Sequence, residues 1–223
     1  EAIAGHISFA RAIACSAEEI VVTAGAQQAF DLLARILVTP GKTVVAEYAR
    51  LGMTNESAKA KFLEAVTLKE LGQIDKAFAG FLALRSSFAQ EPNFRSLVLA
   101  NIAEEYGRRN EQEEAIDAYR EALELATLTG DTVASVQLKA SIGEAYRTKG
   151  ENAEAIVFLR AATLEACQIG MQARLAYLRV VLAESLLGAG RTREAEWEIL
   201  AALPVIEEQK MVAEGFAAMA ILR

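Results

Sequence analysis

Three glutamates recur at one spacing: Glu104, Glu144 and Glu184 lie 40 residues apart. Carboxylates repeated along one surface would favour an ammonium or guanidinium group; Glu is also a good helix former that suits any solvated helical position. Composition does not separate these two readings. The other chemistry-bearing residues form no reactive set. His6 is the only histidine and has no Cys, His or carboxylate cluster beside it, so neither a zinc site nor His-dependent catalysis has a motif. Cys15 and Cys167 are too far apart in the chain for a disulfide framework or a metal pair. They read as two buried, reduced thiols, which fits a cytoplasmic protein. Glu104-Glu105 and Glu113-Glu114 read as solvated helix faces rather than acid–base pairs. Gly188-Ala189-Gly190 has two glycines of a dinucleotide turn, but it joins two helical stretches and follows no strand. There is no P-loop pattern, and Trp197 reads as a packing residue. The expectation is no catalytic residue, no metal and no enzymatic activity.

These residues must be positioned by a repeat. Four segments share the pattern small residue, Leu or Tyr, turn, Ala: Ala65-Leu68-Gly72-Ala77, Ala103-Tyr106-Asn110-Ala115, Gly143-Tyr146-Gly150-Ala155 and Ala183-Leu186-Gly190-Ala195. They follow one another by 38, 40 and 40 residues. A helical unit of that length cannot bury its apolar face alone, so the pattern predicts a helical solenoid, a mainly α architecture. Helices are expected in pairs: 55–71 with 75–89, 93–109 with 111–128, 132–149 with 151–169, and 171–189 with 192–203. A last helix, 205–222, is expected to have no partner. Pro92 and Pro204 are placed at breaks between helices. Val205, Ile206, Met211, Val212, Phe216 and Met219 make that last helix apolar. It would cap the array, leave room for a further helix, or carry a homodimer contact.

The small-residue positions over 54–203 resemble the tetratricopeptide-repeat family in its long-helix form. Departures are Lys61, Leu99, Lys139 and Arg179 where the family has an early Trp, and a weak first repeat. The resemblance implies a right-handed superhelix of helix pairs whose first helices line a concave groove. Mapped onto this chain, the inward positions include Lys59, Phe62 and Lys69, then Leu97, Glu104 and Arg108, then Gln137, Glu144 and Arg147, then Tyr177 and Glu184. By that resemblance the carboxylate series would lie inside the groove and favour a basic peptide or an amine-bearing ligand. The family's carboxylate clamp has no matching Lys/Asn set here, although Asn101 lies near such a place. Arrays of this kind resemble sensor or scaffold parts of larger bacterial regulators.

Composition shifts near residue 50, which divides the chain into a 1–50 segment and a 54–223 repeat domain. Ile20-Val21-Val22-Thr23 and Thr43-Val44-Val45-Ala46 read as short buried strands between helical stretches, a short α-β-α-β segment. The run from Ile20 through Thr23-Ala24-Gly25-Ala26-Gln27-Gln28 to Glu47 resembles fold-type I pyridoxal-phosphate aminotransferases of the GntR-fused type. The resemblance implies that Gly25, Ala26 and Gln27 would hold the cofactor phosphate at a helix N-terminus. It stops at Tyr48, before the family's Schiff-base lysine, so pyridoxal phosphate enters only through this resemblance and a working aminotransferase is not expected.

Bulk properties narrow the partner. The chain has 223 residues, 53% hydrophobic, with a formal net charge of −7. Mean hydropathy is +0.20 and the pI is about 5.0. That supplies a core and disfavours non-specific binding to nucleic acid or an anionic membrane. No run of apolar residues is long enough to span a bilayer. The sequence therefore predicts a non-catalytic, cytoplasmic interaction module for a protein or peptide. Two alternatives stand beside it: a phosphate- or cofactor-binding remnant at 20–30, and self-association.

Overall fold

This computed structural model describes residues 54–222. The chain divides into two units, Glu1–Ser57 and Ala58–Arg223, and the architecture below is that of the second together with the first turn of its leading helix. The strands expected at 20–23 and 43–46, and the 1–50 segment as a whole, lie outside the described residues.

Every regular element among the described residues is a helix. The first pair is α1 (Thr54–Glu70) and α2 (Ile74–Leu84). The second is α3 (Pro92–Arg108) and α4 (Gln112–Thr129). The third is α5 (Thr132–Thr148) and α6 (Asn152–Gln168). The fourth is α7 (Gln172–Gly188) and α8 (Thr192–Glu208), and α9 (Val212–Ile221) follows. From α3 onward each helix packs on the next, and α7 also meets α9. Successive pairs share one stacked core, as a repeat that cannot bury itself must.

The helices form for local reasons. Ala, Leu and Glu dominate them, and all three have high helix propensity. Pro92 occupies the first turn of α3, where its missing N–H costs nothing. Asp131 caps α5, its carboxylate accepting a hydrogen bond from Ala134 N at 2.9 Å.

The turns repeat as faithfully as the helices. Within the pairs, Gln73 N, Glu111 N, Glu151 N and Arg191 N donate to the carbonyls of Leu68, Tyr106, Tyr146 and Leu186 at 2.8–2.9 Å. Between pairs, Asp131 N, Met171 N and Met211 N donate to Ala126, Ala166 and Ile206 at 2.9–3.0 Å. Each is the six-to-one bond that closes a helix C-terminus around a left-handed residue. At two such positions that residue is not glycine: Asn110 has φ 63° and Lys210 has φ 53°.

The recurring small residues are where the helices cross. Ala65, Ala77, Ala103, Ala115, Ala155, Ala183 and Ala195 are all at most 2% exposed. Their neighbours Phe81, Leu159, Leu186 and Ile199 fill the adjacent layer and are at most 1% exposed. A larger side chain at the crossing would hold the helix axes apart.

Two boundaries differ from expectation. The second helix of the first pair stops at Leu84 rather than 89. Ser86 and Ser87 are modest helix formers, and Phe88 takes the left-handed conformation at φ 65°. Phe88 then buries its ring on Phe94, with centroids 5.3 Å apart and nearly parallel planes, so a folded-back loop supplies the apolar cover that the last helical turns supply elsewhere. At the other end α8 does not break at Pro204; it runs on to Glu208. Pro204 removes one intrahelical hydrogen bond, to the carbonyl of Leu200, but both residues lie on the exposed side. Ala202 and Ile206 remain in the core at 1% and 4% exposure and hold the helix together across the proline. The turn falls at Lys210, 40 residues after Gly170, and α9 starts 40 residues after α7. The last helix is thus the first helix of a fifth unit.

Candidate functional site

The first helices α1, α3, α5 and α7 carry the residues expected to line a groove. The structure joins many of them in bridges between neighbouring repeats. Lys69 Nζ on α1 donates to Glu104 Oε2 on α3 at 2.5 Å and to Asn101 Oδ1 at 3.1 Å. Arg108 Nη2, one turn along, donates to the other Glu104 oxygen at 2.8 Å. Tyr177 Oη on α7 donates to Glu144 Oε1 on α5 at 2.9 Å. Arg147 Nη1 lies 3.4 Å from Glu184 Oε2. The 40-residue carboxylate series is therefore one element of a polar network that ties adjacent first helices together.

The remaining expected residues fall differently. Lys59 Nζ pairs with Glu91 at 2.9 Å and lies over the Phe94 ring, 5.1 Å from its centroid. Leu97 is 49% exposed, and Gln137 is also exposed. Phe62 is not a groove residue: it is buried against Phe81 and Phe94, with ring centroids at 5.8 and 6.2 Å. In the first repeat its position belongs to an aromatic core that the short α2 leaves room for. Gly25, Ala26 and Gln27 lie outside the described residues.

A cavity of about 280 Å3 opens between the second and third pairs. Glu104, Arg108, Tyr119, Ser141 and Glu144 line it. Burial pushes the Tyr119 phenol up to about 12, against the hydrogen bond with Ser141. Burial and the adjacent Glu144 carboxylate push Tyr177 up to about 12. Both phenols therefore keep their protons, and Tyr177 serves as a donor to Glu144 at neutral pH. What this face offers chemically is paired charge, amide and phenol groups at helical spacing.

A second cavity, of about 560 Å3, lies between α6 and α8 with α7 as its floor. It takes in two residues that the sequence misplaced. Cys167, expected to be buried, is exposed. Trp197, expected to pack, is 62% exposed, with the Arg179 guanidinium 5.8 Å from its ring centroid. The repeat register held the signal: Trp197 falls where the second repeat has Asp117, and Cys167 where it has Thr127. Both counterparts are exposed.

The tetratricopeptide repeat family model matches residues 98–127, which run from α3 into α4. The fold is tetratricopeptide-like. Solved structures support this at low sequence identity. BtubC (BKLC) from P. vanneervenii superposes with a TM-score of 0.65 at 15% identity, over 79% of this chain and 78% of its own. A putative kinesin light chain with nearly identical TPR-like repeats from Podosopora anserina gives 0.58 at 14% identity, over 67% and 74%. The apo form of RapI gives 0.69 at 11% identity, over 79% of this chain and 52% of that one. These likenesses concern the fold alone. No curated protein matches the sequence. The family match does not extend to residues 1–50, and the aminotransferase resemblance there gains no support from any of these comparisons. Among the described residues, no helix is long and apolar enough to cross a membrane.

Proposed function

We propose that this tetratricopeptide-like array is a non-catalytic scaffold or sensor module that takes a basic protein or peptide segment on its first-helix face. One observation carries the reading: Glu104, Glu144 and Glu184 stand at equivalent places on three successive first helices, and each is held by an exchangeable internal partner. The side chains of Glu104 and Glu184 are 44% and 37% exposed, and those of Arg108 and Arg147 are 47% and 38% exposed. Ion pairs this open contribute only about 0–1 kcal/mol each. An incoming Lys or Arg can therefore share or replace Arg108 and Arg147 at little cost, while the fold keeps the carboxylates at fixed spacing. The test is selection of a random-peptide display library on the whole chain, counter-selected on the E104Q/E144Q/E184Q variant. Enrichment of Lys/Arg-rich sequences that bind the variant at least tenfold less supports the reading. Peptides without basic residues, or equal binding to both proteins, would defeat it.

A second reading, self-association, is favoured by α9. Val212, Phe216, Met219 and Leu222 are 67%, 66%, 51% and 42% exposed. In the preceding repeat the counterparts of Phe216, Met219 and Leu222, which are Ala176, Arg179 and Leu182, are buried or half-buried, whereas Gln172, at the place of Val212, is exposed. The first helix of the fifth unit thus shows to solvent an apolar face of the kind that pairs elsewhere cover. A second copy of the chain would cover it, as would the second helix of a fifth unit. Light scattering on the wild type and on F216K/M219K tests this: a dimer that becomes a monomer supports it, and an unchanged mass refutes it.

A further inference from the structure

The outer face changes character along the array. At one repeat position the second helices α4, α6 and α8 carry Asp117, Val157 and Trp197; at another, α4 and α6 carry Glu124 and Leu164. At these two positions the charged residue of the second repeat gives way to an apolar one in the third, and Trp197 and Pro204 follow in the fourth. Val157, Leu164, Trp197 and Leu200 are all 59–66% exposed. A solvated helix face gains nothing from such residues, and large apolar side chains gathered on one face mark an interaction site.

The cavity between α6 and α8 lies within this surface. Leu164 and Trp197 stand on its two walls, and Arg179 and Leu182 form its floor. Its volume of about 560 Å3 falls among binding clefts, which run about 300–1,000 Å3. Val157 and Leu200 are exposed on the same two helices but do not line it. Val157 lies seven residues before Leu164 and Leu200 three after Trp197, spacings that put each on the same helix face as a lining residue, past the rim. A small molecule would fill the cavity and leave that continuation wet, whereas a protein segment would cover both.

Charge identifies what the segment must carry. Arg160 is already engaged, donating to Glu194 at 2.6 Å, and Glu194 also receives Arg191. Arg193 lines the cavity, and its side chain makes no hydrogen bond or ion pair among the described residues. Arg179 makes no hydrogen bond either: its Nε forms only a long ion pair, 3.9 Å from Glu198 Oε2, and neither atom has a hydrogen-bond partner. The lining thus holds three guanidinium groups, Arg160, Arg179 and Arg193, against two carboxylates, Glu194 and Glu198, in a chain whose formal net charge is −7. The complement of this local excess is an acceptor with negative charge.

We infer that the α6–α8 groove is a docking site, separate from the first-helix face, for a partner protein segment that presents apolar side chains and a carboxylate. The apolar side chains lie on Leu164 and Trp197, and the carboxylate pairs with Arg193 and Arg179. The reading is independent of the first-helix proposal, because the two faces share no residue.

Trp197 is the only tryptophan, so its emission reports occupancy directly. The probe is a blocked peptide, Leu-Glu-Leu-Leu-Glu-Phe, titrated into the whole chain beside versions with Gln or Lys in place of Glu. The expected result is a saturable blue shift with the acidic peptide and at least tenfold weaker binding of the Gln and Lys versions. Arg193→Glu should weaken the acidic peptide at least tenfold and improve the Lys peptide. That side chain is exposed and has no partner among the described residues, so circular dichroism should be unchanged. E104Q/E144Q/E184Q should bind the acidic peptide as the wild type does. No saturable shift, equal response to the three peptides, or indifference to Arg193→Glu would overturn the inference. A shift that depends on protein concentration alone and disappears in Phe216→Lys would also overturn it, by making a second copy the occupant.

Discussion

Replacing Gly143 by Ala is expected to destabilise the protein, although helix propensity alone says the opposite. Gly143 lies in the interior of α5, where Ala is favoured over Gly by about 1 kcal/mol. A Cβ at this position would stand 2.6 Å from Leu159 Cγ, 3.0 Å from its Cδ2 and 3.3 Å from the backbone oxygen of Ala155. Leu159 is fully buried and cannot swing into solvent, and the carbonyl is fixed by α6. Overpacking of this kind costs about 1–3 kcal/mol. The two effects leave a net loss of up to about 2 kcal/mol, or a fall of up to about 8 °C in Tm for a chain of this size. The other repeats point to a remedy. Ala183 faces Ile199 at the same two positions of the fourth repeat, and both are fully buried. L159I in the G143A background should therefore recover much of the loss, while L159I alone should be neutral or slightly destabilising. Thermal and urea unfolding followed by circular dichroism measure the whole array. Amide exchange in α5 and α6 measures the local effect where repeats unfold in parts. A Tm that rises in G143A would show that the helix axes can separate freely and would refute the reasoning.

Lys210→Gly should stabilise the end of the array by about 0.5–1 kcal/mol, because Lys210 occupies the left-handed region at φ 53° where a Cβ is costly; an unchanged or lower Tm would count against it. Glu198 supplies a pH test. Burial is the main cause that raises its carboxyl above the ordinary range, against the opposing field of Arg179. A carboxyl whose folded pKa is raised binds its proton more tightly in the native state. The contribution of Glu198 to stability is then fully present below the unfolded value and is lost as pH rises through the window between the unfolded and folded values. Glu198→Gln should flatten that decline, read as urea midpoints against pH. A wild type and variant that change in parallel across the window would refute the assignment.

The period determined most of what the sequence alone could determine. Four small residues at 65, 103, 143 and 183, with their partners at 77, 115, 155 and 195, mark helix crossings, because only a small side chain lets two helices touch there. The turn residues at 72, 110, 150 and 190 follow from the same register. The register also held more than local signals suggested. Pro204 reads locally as a break, but the repeat puts the turn at 210, and burial of Ala202 and Ile206 outweighs one missing hydrogen bond.

What only the tertiary structure decided is which neighbours each side chain meets. The spacing of Glu104, Glu144 and Glu184 was visible, but their partners Lys69, Tyr177 and Arg147 sit on adjacent helices, about 30–40 residues away in sequence. Phe62 maps by register to the groove and is instead core, because α2 ends early and Phe88 and Phe94 close around it. Cys167 and Trp197 are residue types common in interiors, yet α6 and α8 both pack on α7 and leave a cleft between them, with both residues on its walls. Helix periodicity fixes the face on which a residue lies. Whether that face is covered depends on the helix that packs beside it, and that information resides in distant parts of the chain.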